Sequence, residues 1–114
     1  MAMEWQMKLK LQPFLMVKSG KKTVELRLFD EKRSKLNVGD RVAFTCTQTG
    51  ETVLCIIKNL RTFLNFSLLY QAYDKCAMGY EENEQANPED MEKYSQKEDI
   101  EKYGVVAIEI TLEQ

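Results

Sequence analysis

One short stretch concentrates residues able to do polar chemistry: Gly20-Lys21-Lys22-Thr23-Val24-Glu25-Leu26-Arg27. On an extended strand successive side chains alternate between faces, so Thr23, Glu25 and Arg27 share one face and Val24, Leu26 and Leu28 the other. Glu25 and Arg27 are then neighbours, roughly 6 to 7 Å apart at their Cα atoms. Lys22 falls at the junction of loop and strand, where alternation is loosest, and can be aimed at the same place. A glycine turn with free backbone N–H groups and two cations around one carboxylate suits a phosphate or a polar base edge. The same crowding of charge is one way to lower a lysine pKa. The residues equally fit a structural Glu25–Arg27 pair on a wet strand, with the lysines in solvent.

Elements that must position this cluster are legible on both sides of it. Met7, Leu9 and Leu11 alternate with polar residues and predict a strand with one wet face. Pro13 is expected to open a short helix, which Gly20 ends as a left-handed cap. Thr23 to Leu28 is the second strand, and Phe29 to Leu36 a charged connection. Asn37 to Asp40 is a turn leading into a strand from Arg41 to Thr47. Thr49-Gly50 predicts a hairpin, and the continuously apolar Val53 to Ile57 a central strand buried on both faces. Phe66, Leu69, Tyr70 and Tyr73 recur at helical spacing. Residues 79 to 87 are acidic and irregular, the expected mobile loop. Asn87-Pro88 starts a short helix, and Ser95 to Glu98 has the form of a capping box for another. Gly104 stops that helix before a last strand, Val106 to Leu112. A barrel of six strand segments, one more than the five runs named above, with two or more short helices is expected in one α+β domain over 1–114. No repeat or linker divides it.

Composition narrows the chemistry. The 114 residues include no histidine, which excludes His-based triads and Cys/His zinc sites. Three cysteines, Cys46, Cys55 and Cys76, lack C-x-x-C spacing and predict neither a disulfide framework nor a metal site. They read as half-buried thiols of a reducing cytoplasm. No cofactor is implied. No apolar run approaches a membrane span, and none has the layout of a signal peptide. The net charge of -2 hides an asymmetry: residues 1 to 41 sum to +5 and residues 74 to 102 to -6. This fits an anionic ligand on one face, or two regions that pack together and neutralise each other.

The sequence resembles the ASCH domains, the activating signal cointegrator homology group of the PUA-like superfamily. Their signature G-x-K-x-x-E-x-R stands here as Gly20, Lys22, Glu25 and Arg27. The leading Lys8-Leu9-Lys10-Leu11-Gln12-Pro13-Phe14, the Met16 to Lys22 run, Val38 to Phe44, Met91 to Tyr94 and Tyr103 to Ile108 fit the family in order. The resemblance implies a PUA-like, mostly antiparallel β-barrel with short flanking helices. It places a cleft between barrel and first helix, lined by Lys22, Glu25 and Arg27, and implies an RNA-related role. One small bacterial branch hydrolyses acetylcytidine, but its members carry threonine where this chain has Glu25. A second branch is linked to ribonuclease activity through residues outside the signature.

The leading expectation is therefore an RNA- or modified-nucleoside-binding module. Gly20, Lys21, Lys22, Glu25, Arg27 and Tyr94 contact the ligand, with Tyr94 or Tyr103 stacking on a base or packing at the rim. The alternative is a small amidohydrolase acting on acylated nucleosides, with Lys22 activating water or stabilising the oxyanion, Glu25 as general base and Arg27 holding the substrate. An acid from Glu81, Glu82, Glu84, Glu89 or Glu92 could also approach from the loop. A third reading is a structural or protein-interaction domain whose signature only braces the barrel. Trp5 is expected to pack on the barrel end.

Overall fold

The computed structural model describes residues 2–113. Its elements are β1 (Glu4–Leu9), α1 (Leu11–Lys18), β2 (Val24–Leu28), β3 (Arg41–Cys46), β4 (Thr52–Phe63), α2 (Phe66–Ala72), α3 (Lys97–Tyr103) and β5 (Val105–Leu112). Two 3-10 segments, Arg33–Lys35 and Pro88–Lys93, complete them. The five strands form one curled sheet in the order β1-β3-β4-β5-β2. Pairs β3–β4, β4–β5 and β5–β2 are antiparallel, and β1–β3 is parallel. The fold is thus α+β, a mixed half-barrel with short helices, as expected for a PUA-like domain. It has five described strands rather than six. The twelve-residue β4 serves two neighbours, its first half pairing with β3 and its length from Cys55 onward with β5. A register shift between Ile57 and Asn59 gives it the bend this needs.

The doubly buried strand is β5, not Val53 to Ile57. In β4 only Cys55 and Ile57 are buried, and Leu54 is exposed. In β5, Val106, Ile108 and Ile110 pack inside the half-barrel with Phe14, Val17, Phe44 and Ile57. Val105 and Ala107 pack outside it with Val24, Leu26, Phe66, Leu69 and Met78. The outer layer exists because α2 and the segment around Met78 cover β5 and β2.

Local differences from expectation have local causes. Helix α1 begins at Leu11, two residues before Pro13, with the Leu11 N–H donating to Gln48 Oε1 at 2.9 Å. Pro13 still lies in the first turn, where N–H groups have no helical partner. The capping box fails: α3 starts at Lys97 behind Gln96, with no side-chain cap bond. Ser95 is held in the preceding turn instead, its N–H donating to Met91 O at 3.0 Å. Asn87 does cap its segment, accepting from Glu89 N at 3.0 Å. Trp5 is tied by a side-chain bond, its Nε1 donating to Asp40 Oδ2 at 2.9 Å. The Asp40 carboxylate also accepts from the backbone N–H of Met3 and Asn37, each at 3.0 Å. These bonds outweigh the burial that would raise its pKa and hold it below its ordinary value.

Candidate functional site

At Gly20, with φ of +84°, the chain reverses after α1, and the Lys22 N–H donates back to Met16 O at 3.0 Å. This return turns Lys22 inward, while Lys21 stays exposed. On β2, Glu25 lies opposite Ile108 and Arg27 opposite Val106. Cross-strand partners share a face, so both polar residues point to the interior of the half-barrel. The wet-strand reading with solvated lysines is thereby corrected: Lys22 and Glu25 are 6% and 5% exposed.

Buried charge at this position is tightly compensated. Lys22 Nζ donates to Val24 O at 2.9 Å and Met78 O at 2.8 Å, and lies 3.2 Å from Glu25 Oε1. Two carbonyls and one carboxylate thus surround the ammonium, which matches its three protons in number. Glu25 Oε2 accepts from Arg27 Nε at 2.8 Å and Nη2 at 2.6 Å. Burial alone would push the Glu25 carboxyl up, but the Lys22 and Arg27 cations outweigh it and hold the pKa below its ordinary value. Arg27 Nη2 also donates to Lys8 O at 3.0 Å. Since β1 and β2 are the two edges of the sheet, Arg27 clasps the open seam of the half-barrel. Its Nη1 has no protein acceptor among the described residues.

A cleft of about 700 Å³ opens at this seam. Lys22, Glu25 and Arg27 lie at its base beside Leu26, Met78 and Gly79, and Lys8, Lys10 and Tyr94 are also part of its wall. The opposite side comes from the segment after α2, including Tyr80, Glu84, Asp90 and Lys93. Of the residues singled out in the sequence, Lys22, Glu25, Arg27 and Tyr94 meet here. Gly20 and Lys21 do not line the cleft, and α1 contributes only Pro13. Tyr103 lies elsewhere, in a shallow depression with Trp5. Among the loop acids, Glu84 alone reaches the cleft.

The basic and acidic regions thus face one another across a gap, yet no ion pair joins them among the described residues. Lys8, Lys10 and Lys93 have no acidic partner there. The Lys10 ammonium instead lies 5.5 Å from the centre of the exposed Tyr94 ring. Arg33, at the same cleft, donates Nη1 to Asp30 at 2.8 Å and leaves a buried Nε without an acceptor among the described residues.

Sequence reasoning missed the residues that secure the far wall. Gly79 has φ of +108°, and a Cβ there would meet Lys22 Cδ at 3.0 Å. Its backbone therefore lies directly on the lysine stem. Ala77 O accepts from both Thr23 N and Val24 N, at 2.9 and 3.0 Å, fastening this segment to the start of β2. Further along, Tyr70 Oη is 2.8 Å from Tyr80 Oη, which is 2.8 Å from Asp90 Oδ2. Lys75 Nζ donates to the carbonyls of Glu82 and Glu84 at 2.7 and 2.6 Å, stapling the irregular acidic stretch. The glycine of Met78-Gly79-Tyr80 is the sequence signal for this turn.

Cys46 and Cys55 are buried and Cys76 is half-buried, all as free thiols. Burial pushes Cys55 up to about 11. No group of metal-binding side chains occurs among the described residues, and no helix among them is long and apolar enough to cross a membrane.

A curled half-barrel with this clamped Lys-Glu-Arg cluster at its seam defines a small cleft-bearing domain of PUA-like type. The ASCH domain family model matches residues 7–114, and the chain belongs to that family. Among solved structures, the hypothetical protein PH0355 is 28% identical with a TM-score of 0.81, covering 96% of this chain and 99% of its own. Protein PF0455 from Pyrococcus furiosus is 29% identical with a TM-score of 0.69, covering 96% of each chain. The ZmASCH S128A mutant from Zymomonas mobilis shares the fold at 17% identity and a TM-score of 0.68, covering 97% of this chain and 69% of its own. No curated protein sequence matches significantly.

Proposed function

We propose that the chain is a binding module of the cytoplasm that takes RNA or a modified nucleoside into the seam cleft. One observation carries this reading: the exposed Lys8 and Lys10 stand without acidic partners among the described residues at a cleft of about 700 Å³, with the exposed Tyr94 ring beside Lys10. Unpaired ammonium groups suit phosphates, and an aromatic face suits a base. Arg27 Nη1 adds a donor at the base of the cleft.

Support for binding rather than hydrolysis comes from the saturation of the signature residues. Lys22 Nζ is taken up by the Val24 and Met78 carbonyls and by the Glu25 carboxylate, and is not turned to a ligand. Glu25 is held ionised by two cations, which makes it a weak base. Both groups fix the cleft's shape and charge. Titrating the protein with single-stranded RNA and with free nucleosides at low salt tests the reading. Binding that weakens with salt is expected, and turnover of acylated nucleosides abolished by Glu25→Gln would replace this reading by the hydrolytic one.

A further inference from the structure

Resting on that reading, the far wall of the cleft carries information about the base. We infer that Asp90 is a specificity-determining residue, whose free carboxylate oxygen selects nucleotides with an exocyclic amino group on the base over uracil nucleotides.

Proton counting fixes the direction of the hydrogen bonds. An ionised carboxylate only accepts, so the Tyr80 hydroxyl directs its single proton to Asp90 Oδ2 at 2.8 Å, with the Asn87 carbonyl at 3.3 Å as the longer of its two acceptors. Tyr80 Oη must then accept from the Tyr70 hydroxyl, 2.8 Å away. The half-buried tyrosines are in edge-to-face contact, with centroids 6.0 Å apart and planes at 72°. Tyr70 comes from α2, Tyr80 from the segment beside Lys22, and Asp90 from the 3-10 segment, so three parts of the chain set one carboxylate in place. This relay orients Asp90 and occupies Oδ2. Oδ1 has no partner among the described residues, and Lys93, one turn on, forms no ion pair with it.

A fixed acceptor in a cleft requires a donor on the ligand. Glu84, the other carboxylate of this wall, adds to the same polarity. The amino groups of cytosine and adenine satisfy it, as an acidic side chain accepts from the cytosine amine in nucleic-acid recognition. Uracil presents a carbonyl at the equivalent position, which is repelled by the carboxylate lone pairs, and its one donor on that edge, the ring N3–H, is flanked by two carbonyls that the same lone pairs repel. A phosphate is repelled for the same reason, which orients it toward Lys8 and Lys10.

Titration of the full chain with CMP and UMP by calorimetry at low salt tests this, since the pair differ only in the edge that meets Asp90. The wild type should bind CMP about tenfold more tightly than UMP, the discrimination of one good base contact. Asp90→Asn keeps an acceptor for Tyr80 and adds a donor, and should bring the ratio close to one. Tyr80→Phe leaves the carboxylate but removes its orienting hydroxyl, and should lower the ratio part of the way. Equal affinities in the wild type, or a ratio unchanged by Asp90→Asn in a protein of native near-UV dichroism, would overturn the inference while leaving the cleft as a nucleotide site. Failure of both CMP and UMP to bind would remove that reading and the inference with it.

Discussion

Glu25 sits where removing either neighbour leaves charge stranded in the interior. Breaking a buried pair by deleting one partner costs about 3 to 5 kcal/mol, whereas replacing both by apolar groups is often close to neutral. Lys22→Met should therefore lower stability by roughly 3 kcal/mol, and adding Glu25→Gln should recover part of that loss. Urea denaturation of the two single variants and the double variant measures it; strictly additive losses would show that the pair is not coupled. The carboxyl also dictates a pH dependence. Its folded pKa lies below the ordinary 4.5, so its contribution is complete above that value and is lost as pH falls through the lower folded value. Glu25→Gln should flatten the loss of stability below pH 4.5, leaving a residual fall from Asp40, whose pKa is also lowered. Gly79 is the third residue of this account. Alanine there meets both an unfavourable φ of +108° and the Lys22 stem, and should cost about 1 to 3 kcal/mol, read by the same titrations.

Elements were legible where one face alone is apolar. Met7 and Leu9, or Val42, Phe44 and Cys46, announce their inward face by alternation. Alternation says nothing about partner or direction, so the parallel pairing of β1 with β3 was not visible. Continuous apolar runs are worse still, because Val53 to Ile57 and Val105 to Ile108 look alike, and only β5 is covered on both sides. The Lys22-Glu25-Arg27 cluster was legible because its members are within six residues of one another. Met78 and Gly79 were not, because their contacts with it depend on a fold-back across 56 residues from Lys22 to Met78, and the Tyr80–Asp90 bond spans ten residues of irregular chain that carry no periodic signal. The junction of α3 and β5 makes its own prediction. Gly104 has φ of +71°, and a Cβ there would lie 2.9 Å from Phe63 O. This neighbour is backbone of β4 and cannot swing away, so Gly104→Ala should be more damaging than Gly79→Ala, whose nearest neighbour is a side-chain methylene at 3.0 Å rather than backbone at 2.9 Å. Thermal melts of the two variants decide this; a smaller loss at Gly104 would contradict the packing described for that junction.

Across the whole molecule, the half-barrel leaves one seam open, and Arg27 both holds its edges and lends a donor to the cleft between them. Arg27→Ala therefore tests structure and binding at once: it should lower the melting temperature by roughly 10 °C, as expected for about 3 kcal/mol in a domain this size. The side chains of Lys8 and Lys10 have no such structural duty, being exposed and without acidic partners among the described residues. Charge there can be reversed without unfolding the protein, which separates recognition from stability. The central claim is that these lysines meet the phosphates of a ligand seated in the cleft, and its most direct test is the salt dependence of binding to a short labelled single-stranded RNA. For single strands the slope of log affinity against log salt is about -0.7 per phosphate neutralised. Wild-type binding should weaken with a slope of roughly -1.4 for two phosphates, and Lys8→Glu combined with Lys10→Glu should abolish it at an unchanged melting temperature. No binding at low salt, or binding indifferent to both charge reversals, would contradict the account.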